Sequence, residues 1–319
     1  MDQRLDETTF QLETALLRFD AVVRRDLLLP AYSGSTLRGA WGHALRAQTC
    51  STGLADCKTC PVRQNCAYTL IFETLPAAAA PQAQKLSEAP RPYVLHPPGW
   101  GERRWQAGEP FTFHQLLIGP AIALAETITE AWQEALSGRI GAGKGAAELL
   151  RVSQIGEDGM RMLYGHGIGS FHPARPEPHQ ALGLPSEFEL NFFTPLRLQS
   201  QGRPVRLEEL SPRRFLSALL RRVRLIAEYH GHGNPVTNDD ALFAQLDGIG
   251  DTKQLQWQDW QRNSSRQGRA MNLGGYIGQW RWKLATPPDA ELSRLLALGQ
   301  LLHVGKETTF GMGGFSISR

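Results

Sequence analysis

No stretch of this 319-residue chain is long and apolar enough to span a membrane; the best run, Leu116 to Ala125, is broken by Gly119-Pro120. The opening residues, Met1 to Glu7, are mostly charged or polar and lack the apolar segment of a secretory signal. The expectation is a cytoplasmic protein with no membrane partner. Neither sign of charge dominates, and a net charge of +3 does not by itself announce a polyanionic ligand. No P-loop, Ser-His-Asp order or paired-carboxylate spacing stands out, which leaves nucleoside triphosphatase and triad-hydrolase readings without support.

Cysteine is scarce, and its placement is informative. All four cysteines fall in one short segment, Cys50-x6-Cys57-x2-Cys60-x5-Cys66. Disulfides are disfavoured in a reducing compartment. Four thiolates containing one C-x2-C knuckle can close a tetrahedral metal site. The loop between them is polar, with too little apolar content to order itself, so a metal would supply its fold. The expected cofactor is a structural zinc on Cys50, Cys57, Cys60 and Cys66. Pro61 after Cys60 keeps an iron–sulfur cluster as the alternative. Four ligands leave no open position, so no catalytic metal is expected there.

The rest of the chain repeats a pattern. A helix expected over Pro120 to Leu136 runs into Ser137-Gly138-Arg139-Ile140-Gly141-Ala142-Gly143-Lys144-Gly145 and then a strand near Ala147 to Ile155. A second helix, Asp289 to Leu302, runs into Gly305-Lys306-Glu307-Thr308-Thr309-Phe310-Gly311-Met312-Gly313-Gly314 and the strand Phe315 to Ile317. Loops rich in glycine and lysine can present successive N–H groups to phosphate oxygens, although they also serve as plain helix caps. Earlier in the first half come a strand or hairpin at Phe10 to Val23 and a helix with Leu37, Ala40, Trp41, Ala44 and Leu45 on one face. Strands are expected at Arg91 to Leu95 and Glu109 to Ile118, and an extended Ala/Pro-rich stretch at Ala77 to Pro90. The second half gives a strand at Glu187 to Phe193, a helix after Pro212, and strands at Leu255 to Trp260 and Tyr276 to Leu284. Each half therefore reads β-α-β-β-α-β, and split βαβ units of this kind make ferredoxin-like domains. The expected fold is α+β: two tandem ferredoxin-like (RRM-like) domains, residues 1–157 and 186–319, joined by a linker over 158–185. The four-cysteine loop is inserted after the first helix.

Assembled, these residues resemble a known family. Tyr32-Ser33-Gly34-Ser35-Thr36-Leu37-Arg38-Gly39-Ala40-Trp41-Gly42, the segment from Cys57 through Cys66-Ala67-Tyr68 to Phe72-Glu73, Gly274-Gly275-Tyr276-Ile277-Gly278 and the terminal glycine loop look like the CRISPR repeat-RNA-processing endoribonucleases, the sixth Cas family. That family lies within the repeat-associated mysterious protein (RAMP) superfamily. The resemblance covers nearly the whole chain. It implies metal-independent cutting of repeat RNA, in which the 2′-hydroxyl attacks the scissile phosphate and leaves a 2′,3′-cyclic phosphate. Its alternative is a non-cleaving RAMP subunit that binds crRNA in an effector complex. Repeat RNA, crRNA and other CRISPR effector subunits are the implied partners.

The resemblance places a histidine on or near the first helix, and His43 is available there. It is assigned as general base or acid, with Tyr32 as its partner and Arg38 or Arg46 stabilising the phosphorane. Small glycines beside His43 would admit an RNA backbone. His166 and His172 with Tyr164, and His230 with His232, are second and third candidate groups. RNA contacts are assigned to Lys144, to Arg262, Arg266 and Arg269, and to Gly305, Lys306, Gly311 and Gly313. Trp257 and Trp260, with Arg262, could stack an unpaired base or belong to the core. Arginines are dense from Arg197 to Arg224, either for phosphate or as a balanced helix face.

Overall fold

The computed structural model describes residues 10–74, 89–141, 143–167, 170–177, 179, 181–264 and 269–319. The expected extended stretch at 77–90 lies mostly outside these residues, as does Arg266. The chain divides into two compact units, one built mainly on residues 11–178 and the other mainly on 179–227 and 232–319; residues 228–231 group with the first.

The first unit is an antiparallel five-stranded sheet with helices packed on one face. β1 (Thr14–Arg25) enters its centre, and Ala15, Leu17, Phe19, Ala21 and Val23 are buried. That period of two gives β1 one apolar face, while Arg18 and Asp20 form an ion pair of 2.8 Å on the other. α1 (Gly34–Thr49) and α3 (Ala125–Ser137) cover the apolar face, with α2 (Ala67–Phe72) beside α1. Trp41 of α1 stacks on Trp132 of α3 at 5.6 Å and 5°. Phe19 stacks at 4.9 Å on Phe113, its register partner on β5 (Pro110–Ile118). Trp132 donates Nε1–H to Gln115 at 2.7 Å, which satisfies two buried polar atoms together.

With β3 (Tyr93–His96) and β6 (Ala146–Gly156), the sheet order is β3-β5-β1-β6-β7. Its first four strands run second, third, first, fourth in chain order, with α1 and α2 in the first crossover and α3 in the second, as in a split βαβ unit. The fifth, β7 (Gly159–Gly165), pairs antiparallel with β6. Residues 159–165, expected to belong to a linker because the stretch Asp158 to Ser186 is rich in Gly, Pro and His, are therefore sheet. Met160, Leu163 and Tyr164 supply enough apolar strand chemistry to extend the edge. A short pair, β2 (Leu27–Leu29) with β4 (Arg103–Trp105), stands apart.

The second unit repeats the order. β8 (Glu187–Leu196), β11 (Gly250–Ser264), β12 (Arg269–Lys283) and β13 (Phe315–Ser318) form the antiparallel sheet β11-β12-β8-β13. The long helix α4 (Pro212–His230) and α6 (Ala290–Leu302) occupy the crossovers, and α5 (Asp239–Ala244) follows α4. β9 (Gln199–Ser200) and β10 (Arg203–Pro204) make a small hairpin after β8. Phe215 of α4 lies edge-on to Trp280, Trp282 and Phe315 at 5.5–5.8 Å. Among the described residues no helix is long and apolar enough to cross a membrane.

Two expected outcomes follow from this packing. Trp41→Ala removes the indole shared by Trp132, Tyr93 and Phe72, and should cost about 3–5 kcal/mol in urea unfolding. Burial, then the nearby Arg18, holds His114 below the ordinary histidine value of 6.5. Burial lowers His230 likewise, although its Nε2 donates to the Pro90 carbonyl at 2.7 Å. The unfolded imidazoles therefore take up protons first, so stability should decline progressively as pH falls below about 6.5, measured by denaturant midpoints.

Candidate nucleic-acid interface

The stripe of α1 opposite its core face carries His43, which is exposed. Its neighbours have different tasks from those expected. A Cβ on Gly39 would meet nothing within 4 Å, so that position is open. A Cβ on Gly42 would stand 2.9 Å from the Phe72 ring, so this glycine serves the packing of α1 on α2 and not an approach by RNA. Tyr32 is 3% exposed and tilts against Trp100 at 6.0 Å.

The two arginines assigned to the phosphorane have protein partners. Arg38 donates Nε–H to the Tyr93 hydroxyl at 2.7 Å and lies 4.9 Å over Phe72. Arg46 donates from Nη2 to the Leu54 and Ala55 carbonyls at 2.7 and 3.0 Å, and its guanidinium lies 5.7 Å over Tyr68. Arg46 thus fastens the cysteine loop to the end of α1. The loop's four cysteines are free thiols lining one small pocket. Hydrogen bonds from the Gly53 N–H, then the Thr52 N–H and hydroxyl, hold the Cys50 thiol below its ordinary range, while burial pushes the Cys57 thiol up.

Both glycine loops turn their amides inward. In the first, the N–H of Ile140 and of Gly145 bond each other's carbonyls at 2.9 Å, and Lys144 N–H bonds Gly141 at 3.2 Å. A Cβ on Gly141 or Gly145 would collide with the backbone of residues 26–28, so these glycines permit close strand packing. In the terminal loop, Lys306 N–H donates to the Arg197 carbonyl and Gly313 N–H to Pro195, both at 2.9 Å. Gly311, Met312 and Val304 donate to Thr308, Glu307 and Gly313, and Gly314 N–H to the Thr194 hydroxyl at 2.7 Å. Positive φ at Gly305 (96°), Gly311 (91°) and Gly313 (72°) makes this course possible. The expected phosphate cradle of backbone amides is therefore largely satisfied by protein oxygens. What the loops leave to solvent are the side chains of Lys144 and Lys306, both exposed.

His303, given no role by the sequence, and Arg222, from the arginine-dense segment, hold the terminal loop. His303 is fully buried with φ 58°, and its Nδ1 donates to the Gly311 carbonyl at 3.0 Å. Buried Arg222 donates Nε–H to the Leu302 carbonyl at 2.8 Å, and burial lowers its pKa to about 10. No periodic signal marks either: Arg222 acts on backbone 80 residues away, and His303 on a carbonyl brought back to it by the loop's turn.

The second unit also carries an arginine-lined cleft of about 580 Å³. Arg203 on the β9–β10 hairpin, Arg206 and Arg214 near the start of α4 face it beside Ser200, Gln201 and Glu209. Other arginines in the dense segment are balanced: Arg213 by Asp247 at 3.3 Å and Arg224 by Asp239 at 2.5 Å. Phe193 is 42% exposed on the β8 face opposite the core and stands edge-on to His303 at 6.1 Å. Trp257 is partly exposed, with Arg197 6.0 Å over its ring and Asp259 accepting its Nε1–H at 2.7 Å, whereas Trp260 is buried. Burial lowers the Arg197 pKa against the pull of Glu307 and Asp259. At the far end of the β11–β12 ladder Arg262 pairs in backbone register with Met271, and Arg269 with Ser264.

Of the remaining histidines, His230 is buried, while His232 and His172 are exposed. His166 stands 3.3 Å from Glu148, whose other oxygen pairs with Arg24 at 2.5 Å. These three line a cleft of about 580 Å³ between α3 and β6. Tyr164 accepts from Gln133 at 2.6 Å.

Residues 190–315 match the model of the CRISPR-associated endoribonuclease Cas6, and residues 12–176 match the N-terminal domain family AF_1859_N. The AF_1859_N match spans more than half of the chain, which therefore belongs to that family, and its second half is similar to Cas6. A protein of Archaeoglobus fulgidus, described as uncharacterized, is 24% identical to this Cas6-like chain over 297 residues, covering 91% of it and 92% of the relative. Among solved structures, a partial Cas6-RT-Cas1–Cas2 complex superposes with a TM-score of 0.57 at 13% identity, covering 98% of the Cas6-like chain and 47% of the other. Thermus thermophilus Cas6 gives 0.48 at 17% identity, covering 97% and 99%.

Gly313→Ala and Lys306→Ala should separate the loop's two tasks. A Cβ at Gly313 would overlap the Val304 carbonyl at a positive φ, so the first variant should lose at least about 1 kcal/mol of stability in thermal melts. Lys306→Ala should melt with the parent and weaken RNA binding in filter assays.

Proposed function

We propose that this protein cuts CRISPR repeat RNA as a metal-independent endoribonuclease. The observation that carries this reading is the match of residues 190–315 to the Cas6 endoribonuclease family, whose common ground is processing or binding of CRISPR RNA. The tandem ferredoxin-like reading of the two sheets agrees with it, since both have the same strand order.

In the proposed reaction a base removes the proton of the 2′-hydroxyl beside the scissile phosphate. The 2′-oxygen then bonds to phosphorus, the P–O5′ bond breaks, and an acid protonates the departing 5′-oxygen. A 2′,3′-cyclic phosphate and a 5′-hydroxyl remain. Exposed His43 is the candidate for one of these transfers. Tyr32, being buried, would position groups near it. The RNA backbone is assigned to Lys144, Lys306 and the cleft of Arg203, Arg206 and Arg214, with Arg262 and Arg269 on the hairpin. Exposed Phe193 is suited to stack an unpaired base. Association with other CRISPR proteins is proposed by analogy with the relative found in a Cas6-RT-Cas1–Cas2 complex.

A second placement of the chemistry is favoured by one observation: Glu148 orients His166 inside a cleft, as a carboxylate does for a general base. Single-turnover cleavage of repeat RNA in EDTA, beside RNA with a 2′-deoxy at the cut site, tests the reaction. The normal RNA should be cut once and the deoxy RNA bound but left intact. His43→Ala should slow cleavage about 100-fold or more with affinity unchanged, while His166→Ala should cut at the parental rate. The reverse pattern would move the chemistry to His166 and Glu148. Tight binding of both RNAs by folded protein without cutting would leave a crRNA-binding subunit. Arg203→Ala with Arg214→Ala should lower affinity and flatten its salt dependence by roughly two phosphate contacts.

A further inference from the structure

Between α1 and α2 the chain makes a loop with almost no core of its own. Residues 51–56 are exposed, and its largest apolar side chains, Leu54 and Val62, are 44% and 42% exposed. Fixing such a segment costs roughly 1–2 kcal/mol of backbone entropy per residue, and no apolar burial here offsets it. Its four cysteines nevertheless line one small pocket. Cys50 ends α1, its N–H bonded to Arg46 at 2.9 Å, and Cys66 opens α2, its carbonyl accepting from Leu70 at 3.0 Å. Cys57 and Cys60 sit on a turn closed by Cys60 N–H to the Cys57 carbonyl at 3.3 Å. All four line the same pocket, which has room of about 10 Å³, close to that of a single small ion or water.

From this convergence we propose that Cys50, Cys57, Cys60 and Cys66 bind one zinc ion as a closed tetrathiolate site that folds the loop and locks α1 to α2. No three of these thiols stand together in ligand geometry among the described residues, so binding must draw the sulfurs inward. The loop has the freedom to do so, because it is tied at its ends and by Arg46 but pairs with no strand. Binding replaces four S–H bonds with four S–Zn bonds and releases four protons to solvent, leaving the site with a net charge of −2. The Arg46 guanidinium, already bonded to the Leu54 and Ala55 carbonyls, offsets part of that charge. Zinc suits the set because it has no redox chemistry and accepts tetrahedral sulfur ligation. The site does not depend on the proposed RNA cleavage, and its test does not read cleavage.

The test uses the purified full chain. Metal analysis, with zinc titration if the protein is isolated bare, should show one zinc per chain. The four thiols should react slowly with a chromogenic disulfide reagent until a chelator is added, and then rapidly. Cobalt substitution should give the intense ligand-field bands of a tetrahedral site together with sulfur-to-metal charge transfer. Cys57→Ser with Cys60→Ser should abolish zinc retention; thiol protection in the unmutated chain decides independently of whether that variant folds. Iron with inorganic sulfide in place of zinc would overturn the assignment. So would a folded chain that takes up no zinc and whose thiols react at once.

Discussion

In each unit the strand that comes first in sequence lies in the interior of its sheet, between the third and the fourth. β1 is hydrogen-bonded to β5 and β6, and β8 to β12 and β13. Neither first strand can be completed until the chain has crossed the sheet twice, and each crossover must bury a helix on the same face. Trp41 against Trp132 and Phe215 against Trp280 and Phe315 are where that requirement becomes packing. The opposite sheet faces carry Arg18 and Asp20 in one unit and Phe193 in the other.

The glycine-rich loops show how one composition serves a different physical purpose from the one it suggests. A loop that cradled phosphate with backbone amides would need those amides free. Here they close onto Pro195, Arg197 and Thr194 in one unit and within a tight turn beside residues 26–28 in the other. The gain is rigidity: the terminal loop is fixed at the end of β8, with His303 and Arg222 pinning it from beneath. Lysine side chains then project from a defined backbone.

The first helix carries three kinds of work on its different faces. Leu37, Trp41 and Leu45 hold the core, Gly42 admits Phe72, and Arg46 reaches over the cysteine loop. His43 alone among the assigned residues of α1 stays exposed. A helix committed this heavily to structure can position an imidazole firmly, because its own backbone is fixed by tertiary contacts and not by helix propensity.

Strand and helix placement was legible in the chain because burial repeats at two residues along β1 and near 3.6 along α1 and α3, and local periodicity is a property of sequence alone. So were the family resemblance, the clustering of the cysteines and the repetition of the two halves. β7 was hidden by glycines and histidines that suggested a linker, and only pairing with β6 reveals it as an edge. Partner choice was hidden altogether. Arg38, Arg46 and Arg222 look like candidate phosphate ligands in sequence, yet Tyr93, the Leu54 and Ala55 carbonyls and the Leu302 carbonyl occupy them. His166 meets Glu148 across eighteen positions, and Arg203, Arg206 and Arg214 gather only when a hairpin folds beside a helix. Such meetings depend on which distant backbone comes within hydrogen-bond reach, and that distance is set by the closed sheet, not by any spacing along the chain.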